Sequence, residues 1–92
     1  MNIFTPITIK GKVIANRIVF PPLVNFAWAD TDGNVAPRHV AHYEQRAKGG
    51  AGLIIVEATC INKQGRIFNY QLGAWDDNHI EGLEQITNAC RK

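Results

Sequence analysis

Apolar and polar residues alternate over Ile7-Thr8-Ile9 and return at Val13-Ile14 after Gly11, with Lys10 or Lys12 completing the turn. This pattern predicts a β-hairpin within residues 5–15, placed to cover one end of a larger core. An unbroken apolar run follows at Ile18-Val19-Phe20, which predicts a strand over 17–20 buried on both faces. Pro21 and Pro22 stop it, because neither can donate an N–H to a sheet ladder. Residues 21–37 then read as a long connection carrying Phe26, Trp28 and the turn signal Asp32-Gly33. Pro37 suits the first turn of a helix running to about Lys48. Its N-cap would be Ala36, and the missing cap should cost about 1 kcal/mol.

Gly49-Gly50 ends that helix, and Gly52 leads into the most apolar strand of the chain, Leu53-Ile54-Ile55-Val56, followed by Glu57-Ala58-Thr59-Cys60. Strand, helix, strand makes a βαβ unit whose right-handed crossover sets the two strands parallel. A second connection occupies 62–75. Asp76 is a good N-cap for a second helix, with Asp77 in its first turn and Ile80, Leu83, Ile86 and Cys90 marking one face. No stop signal follows before Lys92. The fold class is therefore α/β, in the order hairpin, β, α, β, α. Two parallel strands leave unpaired edges and a core open on one side, so the chain is expected to be an unfinished domain. In α/β proteins ligands sit where strands leave the sheet at their carboxyl ends, which directs attention to residues 21–24 and 57–60.

With 92 residues, 46% hydrophobic and 20% charged, the composition is that of an ordinary globular protein. A net charge of +2 and no basic run longer than Arg91-Lys92 argue against a nucleic-acid partner. No apolar run approaches the length of a membrane span. The start, Met1-Asn2-Ile3-Phe4-Thr5-Pro6, lacks the pattern of a secretory signal, and Cys60 and Cys90 are far apart with no CxxC spacing. A reduced, cytoplasmic protein is expected.

Candidate chemistry is sparse. Gly49-Gly50-Ala51-Gly52 precedes its strand, whereas a phosphate-cradling glycine run follows one, so helix stop and tight strand start explain it better. His39 and His42 stand i, i+3 on a helix, and His79 lies elsewhere, but no carboxylate or thiol completes an evident metal set. Asp30-Thr31-Asp32-Gly33-Asn34 echoes a calcium loop but has its glycine too early and no closing Glu; it reads as a turn. Cys60 reads as a small buried residue rather than a nucleophile. Glu57, leaving a core strand, calls for a partner: an ion pair with Arg17 or Arg66 is the better reading, a general base the other. Trp28 and Trp75 read as packing residues, though Trp28 on its long loop could face another subunit.

Several segments in order resemble a known family. They are Ile3-Phe4-Thr5-Pro6-Ile7, Asn16-Arg17-Ile18-Val19-Phe20-Pro21-Pro22-Leu23, Asp32-Gly33, the stretch His42 to Ala58, Gln64-Gly65-Arg66, Leu72-Gly73-Ala74-Trp75 and Asp76 to Gly82. Together they resemble the N-terminal segment of the Old Yellow Enzyme family of NADH:flavin oxidoreductases, over nearly all 92 residues. Thr5-Pro6-Ile7-Thr8-Ile9-Lys10 and Gln64-Gly65-Arg66 resemble its short bacterial ene-reductase branch. The resemblance implies a TIM (β/α)8 barrel binding FMN at the carboxyl ends of its strands. A nicotinamide nucleotide, NADH or NADPH, reduces the flavin, which then gives hydride to an electron-poor alkene. Residues 1–92 would be the bottom hairpin and first two β/α units of that single domain.

By the same resemblance, Pro21, Pro22, Leu23 and Val24 match the stretch lying against the flavin ring, largely through backbone. Ala58 matches a position whose backbone approaches the flavin edge, and Phe26 an often aromatic position near the substrate face. Where Val24 stands, relatives often carry Thr or Cys, whose side chain can hydrogen-bond the flavin. Valine has no donor, an expected loss of about 1–2 kcal/mol that should make the flavin harder to reduce. The substrate-binding His/His or His/Asn pair, the Tyr proton donor, the flavin-contacting Gln and the phosphate loops would lie beyond Lys92. No catalytic residue and no metal ligand is therefore assigned here, and the 92-residue chain alone is expected to be inactive. The parent enzyme would take a small-molecule substrate, bind no nucleic acid or membrane, and form a homo-oligomer. The alternative is a small non-catalytic α/β module that associates through its open sheet edges.

Overall fold

The computed structural model describes residues 2–91; Met1 and Lys92 lie outside the described residues. Strands β1 (Ile7–Ile9) and β2 (Lys12–Ile14) pair antiparallel with Ile7 opposite Ile14. Lys10 and Gly11 both take positive φ, 48° and 80°, the two-residue turn whose twist matches a tight hairpin. Strand β3 (Val19–Phe20) pairs in parallel with β4 (Leu53–Ile54), Val19 beside Leu53 and Phe20 beside Ile54. Between them runs helix α1 (Pro37–Lys48), with the bounds its Pro and Gly signals predict. Helix α2 (Ile80–Cys90) follows a single 3₁₀ turn, Asp77–His79, capped by Asp76, whose side chain accepts from the Asn78 N–H.

Gly52 and Gly73 are among the glycines required by close approach. A Cβ on Gly52 would stand 2.5 Å from Asn16 Oδ1, and one on Gly73 would run into the Trp75 ring. Asn16 uses that proximity: its amide donates to the Gly50 carbonyl at 2.7 Å and its Oδ1 accepts from the Ile18 N–H at 2.9 Å. This fixes the start of β4 against the start of β3. A gap of about 150 Å³ lined by Ile7, Ile9, Ile14, Val19 and Leu53 marks where the hairpin meets the strands.

The strands are shorter and more open than their apolar runs suggest. Val19, Leu53 and Ile55 remain 48%, 37% and 43% exposed. The alternation is clear: Phe20 points to α1, its ring edge-on to His42 and Tyr43, while Val19 lines the gap toward the hairpin. Burial on both faces would need further strands on that side, and among the described residues there are none. A radius of gyration of 14.3 Å, against about 12 Å for a compact domain of this length, reflects the same openness. Ile80 is likewise 58% exposed and does not join the buried face of α2. That face is formed by Ile86, with Gly82 fitted against Val35, whereas Ile80 lies at the rim of a groove beside Trp75.

Candidate functional site

The carboxyl ends of β3 and β4 open onto neighbouring loops. Pro21, Pro22 and Leu23 leave β3 exposed, Val24 is half-buried, and the Val24 N–H meets no acceptor among the described residues. Ala58 follows β4 by four residues, and its carbonyl accepts from buried Gln71 Nε2 at 3.0 Å. Gln71 Oε1 in turn accepts from the Ile67 N–H, so one side chain fixes Ala58 and the following loop together. Phe26 is 77% exposed and packs on Phe68, ring centroids 5.2 Å apart. Ala27 behind it takes φ 59°, a conformation that strains an L-residue, with its carbonyl held by Arg38. The positions singled out in the sequence thus lie on two adjoining strand-end segments and the aromatic loop beside them.

What binds the two segments together is a buried polar centre. Glu57 Oε1 accepts from Asn25 Nδ2 at 2.6 Å and from the Tyr43 hydroxyl at 2.8 Å, and Oε2 accepts from the Asn25 N–H at 3.3 Å. The Tyr43 hydroxyl also accepts from the Glu57 N–H at 2.9 Å. His39 Nε2 stands 3.7 Å from Glu57 Oε2, in the lowest-exposure part of the molecule. Burial alone would raise the Glu57 carboxyl's pKa, but the polar contacts of His39, Asn25 and Tyr43 outweigh it and hold the value below the ordinary one. Burial pushes the Tyr43 phenol up.

The expected ion pair with Arg17 or Arg66 does not form. Arg17 is taken by Thr5 Oγ1 and the Pro6 carbonyl, and Arg66 by the carbonyls of Lys63, Thr31 and Asn69. Both guanidiniums satisfy loop backbone near the surface, where their charge stays hydrated. Glu57 is instead satisfied by neutral donors, which avoids burying a second full charge.

The histidines serve locally. His39 Nδ1 accepts from the Ala36 N–H at 2.9 Å, supplying from the third helical position part of the cap that Ala36 lacks. His79 repeats this on the Asp76 N–H, and its Nε2 lies 2.6 Å from the Asp32 carbonyl. Trp28 stacks edge-on to His39 and His42 under Arg38 and so closes the centre from outside. Trp75 packs on His79 and the Gly33-Gly73 contact. Asp30 Oδ1 accepts from the N–H groups of Asp32 and Asn34, the turn expected there. Cys60 is buried and bridges to Gly73. The residues the sequence did not single out are Asn25, Tyr43 and Gln71.

The model of the NADH:flavin oxidoreductase / NADH oxidase family matches residues 2–92. An NADPH dehydrogenase of Bacillus subtilis is 48% identical over 91 residues, covering 99% of this chain and 27% of that protein. Another, from Bacillus velezensis, is 51% identical over 90 residues, covering 98% and 27%. The solved structure of the old yellow enzyme homologue from Zymomonas mobilis superposes with a TM-score of 0.89 at 35% identity, over 99% of this chain and 25% of that one. The chain therefore spans about a quarter of the length of these relatives. Old yellow enzymes are TIM-barrel proteins, and the β, α, β, α order fits a segment of such a barrel. Members of the family are oxidoreductases that use FMN with NAD(P)H as reductant. By its match from residue 2 to residue 92, this chain belongs to the NADH:flavin oxidoreductase / NADH oxidase family.

Proposed function

We propose that residues 1–92 are the N-terminal portion of a single FMN-binding TIM-barrel domain, its bottom hairpin and first two β/α units. The whole protein reduces electron-poor alkenes with NADH or NADPH. The observation that carries this reading is the meeting of Pro21-Pro22-Leu23-Val24 and Ala58 at the carboxyl ends of two parallel strands, tied by Asn25 and Glu57. The residues fit one side of a flavin: exposed apolar surface from Pro21, Pro22 and Leu23, and an amide at Val24 free to donate. FMN, when bound, supplies the carrier that accepts a hydride from the nicotinamide and passes it to the alkene. Leu23 and Val24 would exclude water from the ring, and the Val24 N–H would orient it. Phe26, backed by Phe68, would wall the substrate side. The groups that bind the substrate's activating oxygen and donate its proton belong to residues outside this chain. The protein is assigned to the cytoplasm and to a homo-oligomer in the same reading.

A second reading, self-association through open edges, is favoured by the exposed Val19, Leu53 and Ile55 for residues 1–92 in isolation. Titrating FMN into the full-length protein and into residues 1–92 separates the two. Quenching of flavin fluorescence is expected with the full-length protein only. Micromolar binding by residues 1–92 alone would overturn the claim that most of the site lies elsewhere, and no binding by the full-length protein would overturn the flavin reading.

A further inference from the structure

Asn25 follows directly on the 21–24 segment, and its place is set from the core. Its side-chain amide and its backbone N–H go to the two oxygens of one carboxylate, Glu57, 32 residues away. That carboxylate is itself immobilised by Tyr43, which donates to Oε1 and accepts from the Glu57 N–H. His39 closes the remaining side: its Nδ1 is an acceptor for Ala36, so its ring proton sits on Nε2, facing Oε2. Glu57, Tyr43 and His39 are all buried, whereas residues 21–36 form no helix or strand of their own. The loop's other ties to the fold, at Ala27, Ala29, Thr31, Asp32 and Gly33, all lie beyond Phe26, so its first part is anchored at Asn25 by a rigid acceptor.

We infer that Glu57 is a positioning residue: by gripping Asn25 at both its amides it fixes the adjoining Val24 peptide, and with it the free Val24 N–H, against the carboxyl end of β4. The inference rests on the flavin reading above and adds to it a residue that never touches the ligand. Were Asn25 released, the Val24 segment would have to be ordered on each binding event, and affinity would fall with no contact removed.

The test uses the full-length protein. Glu57→Gln keeps the volume and can still accept from Asn25 Nδ2 and Tyr43, but turns an NH2 toward the Asn25 N–H. Its Kd for FMN should rise about tenfold, with a lower flavin midpoint potential. Asn25→Ala removes the Nδ2 bond but leaves the carboxylate intact and held by Tyr43; it should act in the same direction by about three- to tenfold, which covers the case of a misfolded Glu57 variant. Tyr43→Phe loosens the same core from the other side. It should lower Tm and raise the Kd for FMN by about two- to threefold, less than Asn25→Ala does, since Glu57 loses one anchor while both Asn25 bonds survive. Unchanged affinity and potential in Glu57→Gln and Asn25→Ala, with only Tm reduced, would overturn the inference. So would a Tyr43→Phe variant that loses FMN as strongly as Asn25→Ala. A wild-type protein that takes up no FMN removes the flavin reading and this inference with it.

Discussion

Replacing Tyr43 with Phe deletes one oxygen from the buried centre and leaves the ring in place, edge-on to Phe20 at 6.2 Å and His42 at 5.0 Å. The lost hydroxyl has two bonds. Its 2.8 Å donation to the Glu57 carboxylate, a charged acceptor, contributes about 1.5–3 kcal/mol, and the stranded Glu57 N–H costs about 1–3 kcal/mol. Because the two share one atom and the Phe ring is the more apolar, a net loss of about 2–4 kcal/mol is expected. In a full-length barrel about 3.7 times the length of this chain, as its relatives are, that lowers Tm by roughly 3–6 °C. The pH dependence has a definite sign. The folded Glu57 carboxyl titrates below its ordinary value, so its contribution is complete above about pH 4.3 and fades as pH falls through the depressed folded value. Without Tyr43 that value moves up. The deficit of the variant should therefore be full at pH 7 and narrow in acid. Thermal melts of both proteins at pH 7 and pH 4 read this out. A deficit below about 1 °C at pH 7, or one that widens in acid, would refute the assigned bonds.

Two further outcomes follow from the strand ends. Val24→Thr restores a hydroxyl beside the proposed flavin face and should raise the midpoint potential of the full-length protein, by an amount equivalent to about 1–2 kcal/mol; redox titration showing no upward shift would sink that role for position 24. Residues 1–92 expressed alone should self-associate or melt without cooperativity, because Val19, Leu53 and Ile55 lie open. Sedimentation showing a monodisperse monomer with a sharp melt would count against this.

Much of the fold could be read from the chain because its signals are local. Pro37 and Gly49-Gly50 bound α1 to the residue, and Gly11 with Lys10 sets the hairpin register. Helix ends and tight turns depend on residues within four positions of each other. Strand burial does not: Val19 and Leu53 look like core residues by their apolar runs, yet among the described residues no neighbour covers them. The partners of Glu57 were missed for a related reason. Sequence logic pairs a buried carboxylate with a cation, but Asn25 reaches it across 32 residues, and neutral donors leave no charge pattern to follow. His39 and His79 were legible only in part, since the reach back to an N-cap needs the imidazole's rotamer as well as its spacing. The positions matched by family resemblance lie on adjoining strand ends, and the proposed hold on a flavin runs through their backbone groups.

Amide hydrogen exchange of the full-length protein, with and without FMN, addresses that hold most directly, since it reports on the backbone groups proposed to make it. Slowed exchange on FMN binding is expected in peptides covering Leu23 to Phe26 and Glu57 to Thr59, with the hairpin from Ile7 to Ile14 unchanged. FMN binding that leaves Leu23 to Phe26 exchanging as before would contradict the assignment of these strand ends to the flavin.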